Sequence, residues 1–320
     1  MHECVYLRAP AKVNLHLDIL DKRADGFHNI LSVFQLISLY DRICIRSLKE
    51  TDNYYNLIGD FNFPVQENLI TRAVNCFRAV TGISCGIEVT VEKAIPEGGG
   101  LGGGSSDAAN VLAGLNLLFR TKIQDRKLKE MGMSLGSDVP FFMDNICAIV
   151  SGTGGNIKPV KPRKDFYFLL IYPGFGINTV RAYQWLDDQR IDTEELPPYF
   201  VGQDMKEKFF QIGKSKTNVL PGATEHQLEA IYRKCPVTEW NFYNSFRDIL
   251  FQKYQEYNRI FRGLMDSGAC YANISGSGST MFGIFKEKKK AEWAFNLFKG
   301  KYSFIRIAKP LDKRPLFILK

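Results

Sequence analysis

The sequence predicts an α+β fold that is made of two α/β domains. Alternating apolar and polar residues indicate strands in both halves of the chain, and segments of helical period lie between them. The length of 320 residues exceeds the usual size of one domain. Glycine, proline and basic residues gather in segment 153–164, a composition typical of a domain boundary. We therefore predict one domain over residues 1–160 and a second over residues 161–320.

The first half begins with predicted strands. Segment 12–20 alternates apolar with polar residues, which is the period of a strand with one buried face. Segments 42–46 and 86–93 repeat this alternation. The sequence between them predicts a helix that Asn68 caps and Gly82 ends.

A second helix is predicted after the glycine-rich part of the first half. Segment 108–119 has apolar residues at helical spacing, and the predicted buried stripe contains Val111, Leu112, Leu115, Leu118 and Phe119. A shorter helix over 125–134, the segment 136–143 and a buried strand over 146–150 complete this half.

The second half predicts a small α+β sandwich. Segment 166–173 has the composition of a buried strand, and Asn178 or Thr179 caps the helix that follows. Helices are expected between 241 and 267, and the tail predicts strand, glycine loop, strand, helix and strand. The segment from Gln189 to Cys235 is polar and weakly periodic, and we assign it no function.

Composition excludes several classes of protein. No apolar run is long enough to span a membrane, and the start of the chain lacks the basic and apolar regions of a secretory signal. The seven scattered cysteines predict neither a zinc site nor a disulfide framework, so we expect a cytoplasmic protein. The net charge of +8 favours anionic ligands, but the basic residues are dispersed and form no stripe of the kind that nucleic acid requires.

Six glycines lie in segment 94–110, in two triplets around Leu101. A mobile connector is one explanation, although every glycine loses conformational entropy on folding. A phosphate cradle is the other, because bare backbone lets amides approach an anion closely. A helix with Ser105, Ser106 and Asp107 in its first turn would also direct free amides at that anion. We favour the cradle over the connector.

The glycine segment does not match the two common nucleotide motifs. G-x-x-x-x-G-K-[ST] fails because Ser105, not lysine, follows Gly104. G-x-G-x-x-G requires a parallel sheet and an acidic residue about 20 positions further on. Asp125 stands in that region, but it fits better as a helix cap. The cradle must therefore belong to another class.

Three motifs together resemble those of the GHMP kinases. P-x-x-x-G-L-G-G-G-S-S-D-A-A over 96–109 is similar to the phosphate-binding motif of that family. Segment 9–15 resembles the family's first motif, and segment 275–285 resembles its glycine-rich third motif. The resemblance covers most of the first half and several points of the second. It implies an N-terminal ribosomal-protein-S5-domain-2-like domain, a C-terminal ferredoxin-like α/β sandwich and an active site in the cleft between them.

Two further segments resemble one branch of the family. R-x-D-G-[YF]-H over 23–28 and the segment 136–143 are similar to those of kinases that phosphorylate the 2-hydroxyl of a cytidine-diphosphate-linked polyol. That reaction lies on the non-mevalonate route to isoprenoid precursors. A kinase of the homoserine or mevalonate type is the alternative within the family, and the 23–28 signature argues against it. A non-catalytic nucleotide-binding regulator is another, which the presence of Lys12 and Asp138 disfavours.

The resemblance implies two catalytic residues. Asp138 would be the general base that accepts the proton of the substrate hydroxyl, and Lys12 would orient and activate that hydroxyl. Taken without the resemblance, Asp138 fits a helix cap and Lys12 fits a surface lysine. The residues that would bind ATP are Pro96, Gly98, Gly99, Gly100, Leu101, Gly102, Gly103, Gly104, Ser105 and Ser106.

The resemblance also implies the substrate-binding residues Asn14, Phe27, His28, Thr179 and Tyr183. His28 would hydrogen-bond the cytosine ring, while Phe27 and Tyr183 would stack on its two faces. Phe27 stands where the resembling enzymes often have tyrosine, so a hydrogen bond from a phenol would be lost. The alternatives are a solvated turn for His28 and a core position for Tyr183.

ATP and Mg²⁺ are the cofactors that the resemblance implies. Mg²⁺ would neutralise the β- and γ-phosphates, and Ser106, Asp107 and Asp138 are candidate ligands, of which we assign none. Segment 275–279 would close over the phosphates, although its sequence also suits a tight hairpin turn. We expect a monomer or a homodimer whose partners are small molecules, with no role for nucleic acid or membrane.

Overall fold

The computed structural model describes residues 4–62, 64–194 and 222–320. Its strands are β1 (Cys4–Lys22), β2 (His28–Asp52), β3 (Tyr55–Ile58), β4 (Cys85–Glu92), β5 (Cys147–Gly152), β6 (Asn156–Pro159), β7 (Tyr167–Tyr172), β8 (Tyr271–Ile274), β9 (Met281–Phe285), β10 (Phe304–Ala308) and β11 (Ile318–Leu319). Its α-helices are α1 (Leu69–Thr81), α2 (Gly103–Leu118), α3 (Asp125–Leu135), α4 (Phe141–Asp144), α5 (Thr179–Glu194), α6 (Glu225–Lys234), α7 (Arg247–Lys253), α8 (Gln255–Asp266) and α9 (Lys288–Phe298). This mixture of helices and sheets confirms the predicted α+β class.

The long hairpin of β1 and β2 organises the first sheet. The two strands pair antiparallel, with Lys12 opposite Leu36 and Asn14 opposite Phe34. Seven described strands form this sheet, in which β11, β1, β2, β4 and β3 follow one another and β5 and β6 branch from β2. Helices α1, α2 and α3 cover one face and bury an apolar core against it. The hairpin thereby fixes the segment that carries Lys12.

The second sheet lies in the other half of the chain. Its strands follow the order β10, β7, β9 and β8, and every neighbouring pair is antiparallel. Leu169 of β7, Met281 of β9, Leu264 of α8 and Ala291 of α9 belong to one buried cluster. The predicted tail of strand, glycine loop, strand, helix and strand is confirmed.

The prediction of one buried face for segment 12–20 is wrong over most of its length. Asn14, His16 and Asp18 are 3%, 0% and 3% exposed, although they occupy the polar positions of the alternation. Residues of the second half contact all three, because Ser275, Tyr243 and Ser245 hydrogen-bond to them in turn. Both faces of this strand are therefore buried, the apolar side chains on one face and the polar side chains on the other.

Local helix signals agree with the sequence prediction. The Asn68 side chain accepts a hydrogen bond from the amide of Ile70, and Gly82 ends α1 in the left-handed conformation. Asn178 caps α5 by accepting from the amide of Arg181 at 3.1 Å. The start of α2 differs, since it begins at Gly103 and not after the glycine segment.

The two halves of the chain share a buried core. Ala11 and Val13 of β1 belong to the same apolar cluster as Phe168 of β7 and Phe282 of β9. The division at residue 160 stays a prediction. The segment from Gln189 to Cys235, to which we assign no function, lies partly outside the described residues. Within the described ranges, no helix is long and apolar enough to cross a membrane.

His16 gives the fold a predictable pH dependence. Burial lowers the pKa of His16 from 6.5 to about 3. Between these two pH values His16 is neutral in the folded chain and protonated in the unfolded chain. The free energy of unfolding should therefore fall as the pH falls from 6.5 towards 3, by up to about 1.4 kcal/mol per pH unit from this group.

His16→Asn keeps an acceptor for the amide of Tyr243 and removes the titration. Urea unfolding of this variant between pH 4 and 7 should give a shallower dependence on pH than the wild type. His226→Asn, at an exposed position, is the matched control and should leave the slope unchanged. If the unfolding free energies of His16→Asn and the wild type depend equally on pH, this pH dependence does not come from His16.

Candidate active site

Lys12 lies at the centre of the site and is almost fully buried, with 4% of its surface exposed. Its Nζ donates a hydrogen bond to Oδ1 of Asn14 at 2.5 Å and lies 3.3 Å from Oδ2 of Asp138. The same atom lies 4.4 Å from the ring centroid of Phe34, a cation–π contact. A buried ammonium is costly unless such partners compensate its charge. The interpretation of Lys12 as a surface lysine is wrong.

Asp138 lies in the turn between α3 and α4. Helix α4 begins at Phe141 after Pro140 and has no side-chain cap, so the interpretation of Asp138 as a helix cap is wrong. The Phe141 ring packs edge-on against Phe34 with 5.1 Å between centroids, which anchors the turn beside Lys12. The Asp138 side chain is 29% exposed and can meet a ligand.

The glycine segment joins Lys12 to the third motif. The amide of Lys12 donates to the carbonyl of Leu101 at 2.9 Å, and the amide of Thr280 donates to the carbonyl of Gly99 at 3.1 Å. The Ser275 hydroxyl donates to the carbonyl of Gly100 at 2.8 Å. Three segments that are distant in sequence therefore meet at one place, as the resemblance implies.

Two of the glycines are required by this close packing. Gly100 has a φ of +72°, and a Cβ there would lie 2.1 Å from the carbonyl oxygen of Ser275. Gly102 has a φ of +71°, and its Cβ would lie 2.7 Å from the Phe142 ring and 3.1 Å from Cε of Lys12. Part of the bare backbone thus serves contacts within the protein, in addition to any contact with a ligand.

Free amides lie at the start of α2. Gly102 precedes the helix without a capping side chain, and Ser106 is the first residue to bond back, to the carbonyl of Gly102. The amides of 103–105 have no acceptor among the described residues. Such amides, with the positive end of the helix dipole, suit a phosphate. Pro96 packs against Gly99 where the segment begins.

The candidate Mg²⁺ ligands differ in what they contact. The Ser106 hydroxyl donates to the carbonyl of Pro10 at 2.7 Å. Asp107 is 1% exposed and accepts from Lys93 at 2.7 Å, while the same Lys93 Nζ lies 2.6 Å from Asp41. Burial raises the pKa of Asp107 to about 8; the ammonium of Lys93 lowers this pKa and only partly offsets the rise, to which the neighbouring Asp41 carboxylate adds. Ser106 and Asp107 are thus buried and bound to protein groups, whereas the Asp138 carboxylate is open to a ligand.

His28 and Tyr183 lie against each other at the turn end of the β1–β2 hairpin. Their ring centroids are 5.0 Å apart, and Nε2 of His28 lies 2.7 Å from Oδ1 of Asp187 on α5. Burial and, to a lesser degree, the negative charge of Asp138 raise the pKa of Tyr183 to about 12. The predicted substrate residues His28 and Tyr183 therefore lie together, beside Asp187.

The other predicted substrate residues, Phe27, Thr179 and Asn14, differ in exposure and in what they contact. Phe27 is 66% exposed and makes no ring contact with the described residues, so the structure does not pair it with Tyr183. The Thr179 hydroxyl lies 3.1 Å from the Ser277 hydroxyl of the third motif. The Asn14 amide group donates to the hydroxyl of Ser32 at 3.0 Å and is buried.

Sequence reasoning missed several residues that shape the site: Ser32, Phe34, Lys93 and Asp187. A prediction of the hairpin register would have placed Phe34 opposite Asn14. Asp187 follows Tyr183 by four positions, which puts both on one helix face. Lys93 gave no signal that separates it from a surface lysine.

A free helix start beside a lysine–aspartate pair suits the transfer of phosphoryl groups. Two family models agree with that class. The model "GHMP kinases N terminal domain" matches residues 68–152, and the model "GHMP kinases C terminal" matches residues 223–297. The chain belongs to the GHMP kinases, which confirms the family and the fold that the three motifs predict.

Curated relatives narrow the comparison to one kind of kinase. A protein of Thermodesulfovibrio yellowstonii named 4-diphosphocytidyl-2-C-methyl-D-erythritol kinase is 35% identical over 92% of this chain and 94% of its own length. A protein of Treponema pallidum with the same name is 36% identical over 92% of this chain and 95% of its own length. Both relatives span nearly the whole chain.

Solved structures show the same fold. A crystal structure of 4-(cytidine 5'-diphospho)-2C-methyl-D-erythritol kinase is 27% identical, has a TM-score of 0.74 and covers 95% of this chain and 98% of its own. The homoserine kinase of Cytophaga hutchinsonii has a TM-score of 0.69 at 16% identity, with coverage of 99% and 98%. At 16% identity, the similarity to the homoserine kinase supports the fold alone.

The packing of the glycine segment predicts the effect of Gly100→Ala. The new Cβ would clash with the Ser275 carbonyl in a left-handed backbone, so we expect a loss of about 2–4 kcal/mol of unfolding free energy. Gly104→Ala is the matched control, because its Cβ would lie 3.7 Å from Leu69 in an ordinary helix position. Thermal unfolding should separate the two variants. Similar melting temperatures for Gly100→Ala and Gly104→Ala would refute the close approach of the glycine segment to the third motif.

Proposed function

We propose that this chain transfers a phosphoryl group from ATP to the 2-hydroxyl of 4-diphosphocytidyl-2-C-methyl-D-erythritol, on the non-mevalonate route to isoprenoid precursors. The names of its relatives over 92% of the chain support this substrate. The observation that carries the proposal is the 3.3 Å pair of Lys12 and Asp138 beside the glycine segment.

Asp138 is the proposed general base. Its carboxylate accepts the proton of the attacking hydroxyl, so the oxygen is an alkoxide when it meets the phosphorus. Lys12 lies beside the same carboxylate, where it orients and activates the substrate hydroxyl. The ammonium also stabilises the negative charge that builds up on the oxygens of the transferred group. Asn14 holds the ammonium in place through its side-chain carbonyl.

The glycine segment and α2 are the proposed triphosphate site. The amides of 103–105 direct their hydrogens towards the phosphates, and the helix dipole favours negative charge at the same end. Segment 275–279 holds the glycine segment through Ser275 and approaches the phosphates from the second sheet. ATP bound in this way places its terminal phosphate near Lys12, because Leu101 hydrogen-bonds to the Lys12 amide.

The proposed cytosine site lies at the end of the β1–β2 hairpin. Tyr183 offers a ring face, His28 offers hydrogen-bonding atoms, and Phe27 is exposed and able to stack on a base. Thr179 links this region to the third motif through Ser277. Because this contact joins the start of α5 to the segment that holds the glycine segment, an extended cytidine-diphosphate substrate is proposed to occupy both regions at once.

Mg²⁺ is proposed to arrive with ATP, whose phosphates supply oxygen ligands. The described residues contain no cluster of metal-ligating side chains, and we assign no step to the ion. A cytoplasmic location is proposed because all seven cysteines are free thiols. A monomer or a homodimer, and a division into domains at residue 160, complete the proposal.

The role of Asp138 is tested by Asp138→Asn. ADP release from ATP and the diphosphocytidyl substrate should lose at least about 100-fold in kcat, while KM changes by less than about threefold, since the base acts mainly in the transition state. Asp125→Asn, which makes the same change at an exposed helix start, is the matched control and should retain wild-type kinetics. Wild-type kcat in Asp138→Asn would remove Asp138 from the role. Absence of turnover by the wild type would refute the proposed function.

A further inference from the structure

Helix α5 contacts the end of the β1–β2 hairpin through one face. Tyr183, Asp187 and Arg190 follow at positions i, i+4 and i+7, which lie on the same side of a helix. Tyr183 contacts the His28 ring, Asp187 contacts the Nε2 atom of His28, and Arg190 donates to the carbonyls of Leu20 and Ile19 at 2.8 and 2.5 Å. The contacts of Tyr183, Asp187 and Arg190 with the hairpin therefore fix the position of Asp187 relative to His28.

Asp187 lies between two basic side chains. Its Oδ1 is 2.7 Å from Nε2 of His28, and its Oδ2 is 2.6 Å from Nζ of Lys22. Lys22 and His28 are themselves paired across the hairpin, so both partners come from one rigid element. The His28 side chain is 5% exposed and the Asp187 side chain 20%, so water does not fully screen the contact.

Asp187 determines which nitrogen of His28 carries the proton of their shared hydrogen bond. Burial tends to raise the pKa of Asp187, but hydrogen bonds from Lys22 and His28 outweigh it and lower that pKa, which keeps the carboxylate ionised. An ionised carboxylate can only accept, so the proton of the shared hydrogen bond resides on Nε2 of His28. The ammonium of Lys22 balances the charge of Asp187 in this cluster.

A neutral imidazole with its proton on Nε2 carries a lone pair on Nδ1. The Nδ1 atom of His28 has no hydrogen-bond partner among the described residues. Cytosine and uracil differ at position 4 of the ring, where one has an amino group and the other a carbonyl. A lone pair accepts a hydrogen bond from the amino group and repels the carbonyl oxygen.

We propose that Asp187 is the positioning residue that fixes His28 as its Nε2–H tautomer, so that Nδ1 selects a 4-aminopyrimidine over a 4-oxopyrimidine. The inference rests on the proposed function, because it requires that His28 faces the base of the substrate. It goes beyond that function by naming a residue of α5 that acts through His28 and sets which base is accepted.

Binding of CDP and UDP tests the selection. Isothermal titration calorimetry should give the wild type a clear preference for CDP. In Asp187→Asn the amide can donate to Nε2 and shift the proton to Nδ1, so the ratio of CDP to UDP affinity should fall by at least about tenfold. Asp188→Asn is the matched control, because it removes the same charge from the next, exposed position of α5 and should keep the wild-type ratio.

The tautomer itself is a second and independent readout. The chain has four histidines, so the imidazole nitrogens can be assigned in ¹⁵N spectra by comparison with His28→Gln. The wild type should show His28 protonated at Nε2 and unprotonated at Nδ1, and Asp187→Asn should show protonation at Nδ1. Asp187→Glu, which retains a carboxylate, should restore at least part of the CDP preference.

The outcomes separate the inference from the function on which it rests. A wild type that prefers CDP, together with an unchanged ratio in a folded Asp187→Asn, overturns the role of Asp187 and leaves the proposed function standing. Protonation of Nδ1 in the wild type also overturns the inference. A wild type without preference for CDP overturns both the cytosine site and the inference.

Discussion

The buried ammonium of Lys12 requires compensation that no single segment supplies. Asn14 comes from the same strand, Phe34 from the neighbouring strand and Asp138 from a turn after α3. Leu101 holds the backbone of the same residue and so fixes the glycine segment beside it. Removing a charge of this kind from water costs several kcal/mol unless its partners are in place. The hairpin, the turn and the glycine segment must therefore assemble together, and the same assembly places the free amides at the start of α2 beside Lys12.

Much of this fold was predictable because the signals are local. The helix that Asn68 caps and Gly82 ends, and the terminal strand, loop, strand, helix and strand, follow from spacing and turn chemistry within a few residues. The glycine content of segment 94–110 predicts an anion site by the same kind of local signal, and that site stays a prediction. The exact use of the glycines was not predictable, since Gly100 and Gly102 also serve contacts with Ser275 and with Phe142. Those contacts join segments far apart in the sequence, and composition does not encode their distance.

The polar side of β1 shows why the rest required a structure. Asn14, His16 and Asp18 have the spacing of a solvated face, and they are buried because the second half of the chain covers them. His28 and Asp187 are separated by 159 positions, so their contact depends on how α5 lies on the hairpin. Burial and long-range register are properties of the whole fold, and they decide which polar residues become functional.

The dependence of the site on Lys12 is tested most directly by a double-mutant cycle with Asp138, measured as kcat/KM for phosphoryl transfer. Lys12→Ala, Asp138→Asn and the double variant should show strong non-additivity, with the double variant about as slow as the slower single variant, because the two side chains act as one unit. Losses that simply multiply would mean that the 3.3 Å pair is not a functional unit. That result would contradict the central role given to Lys12.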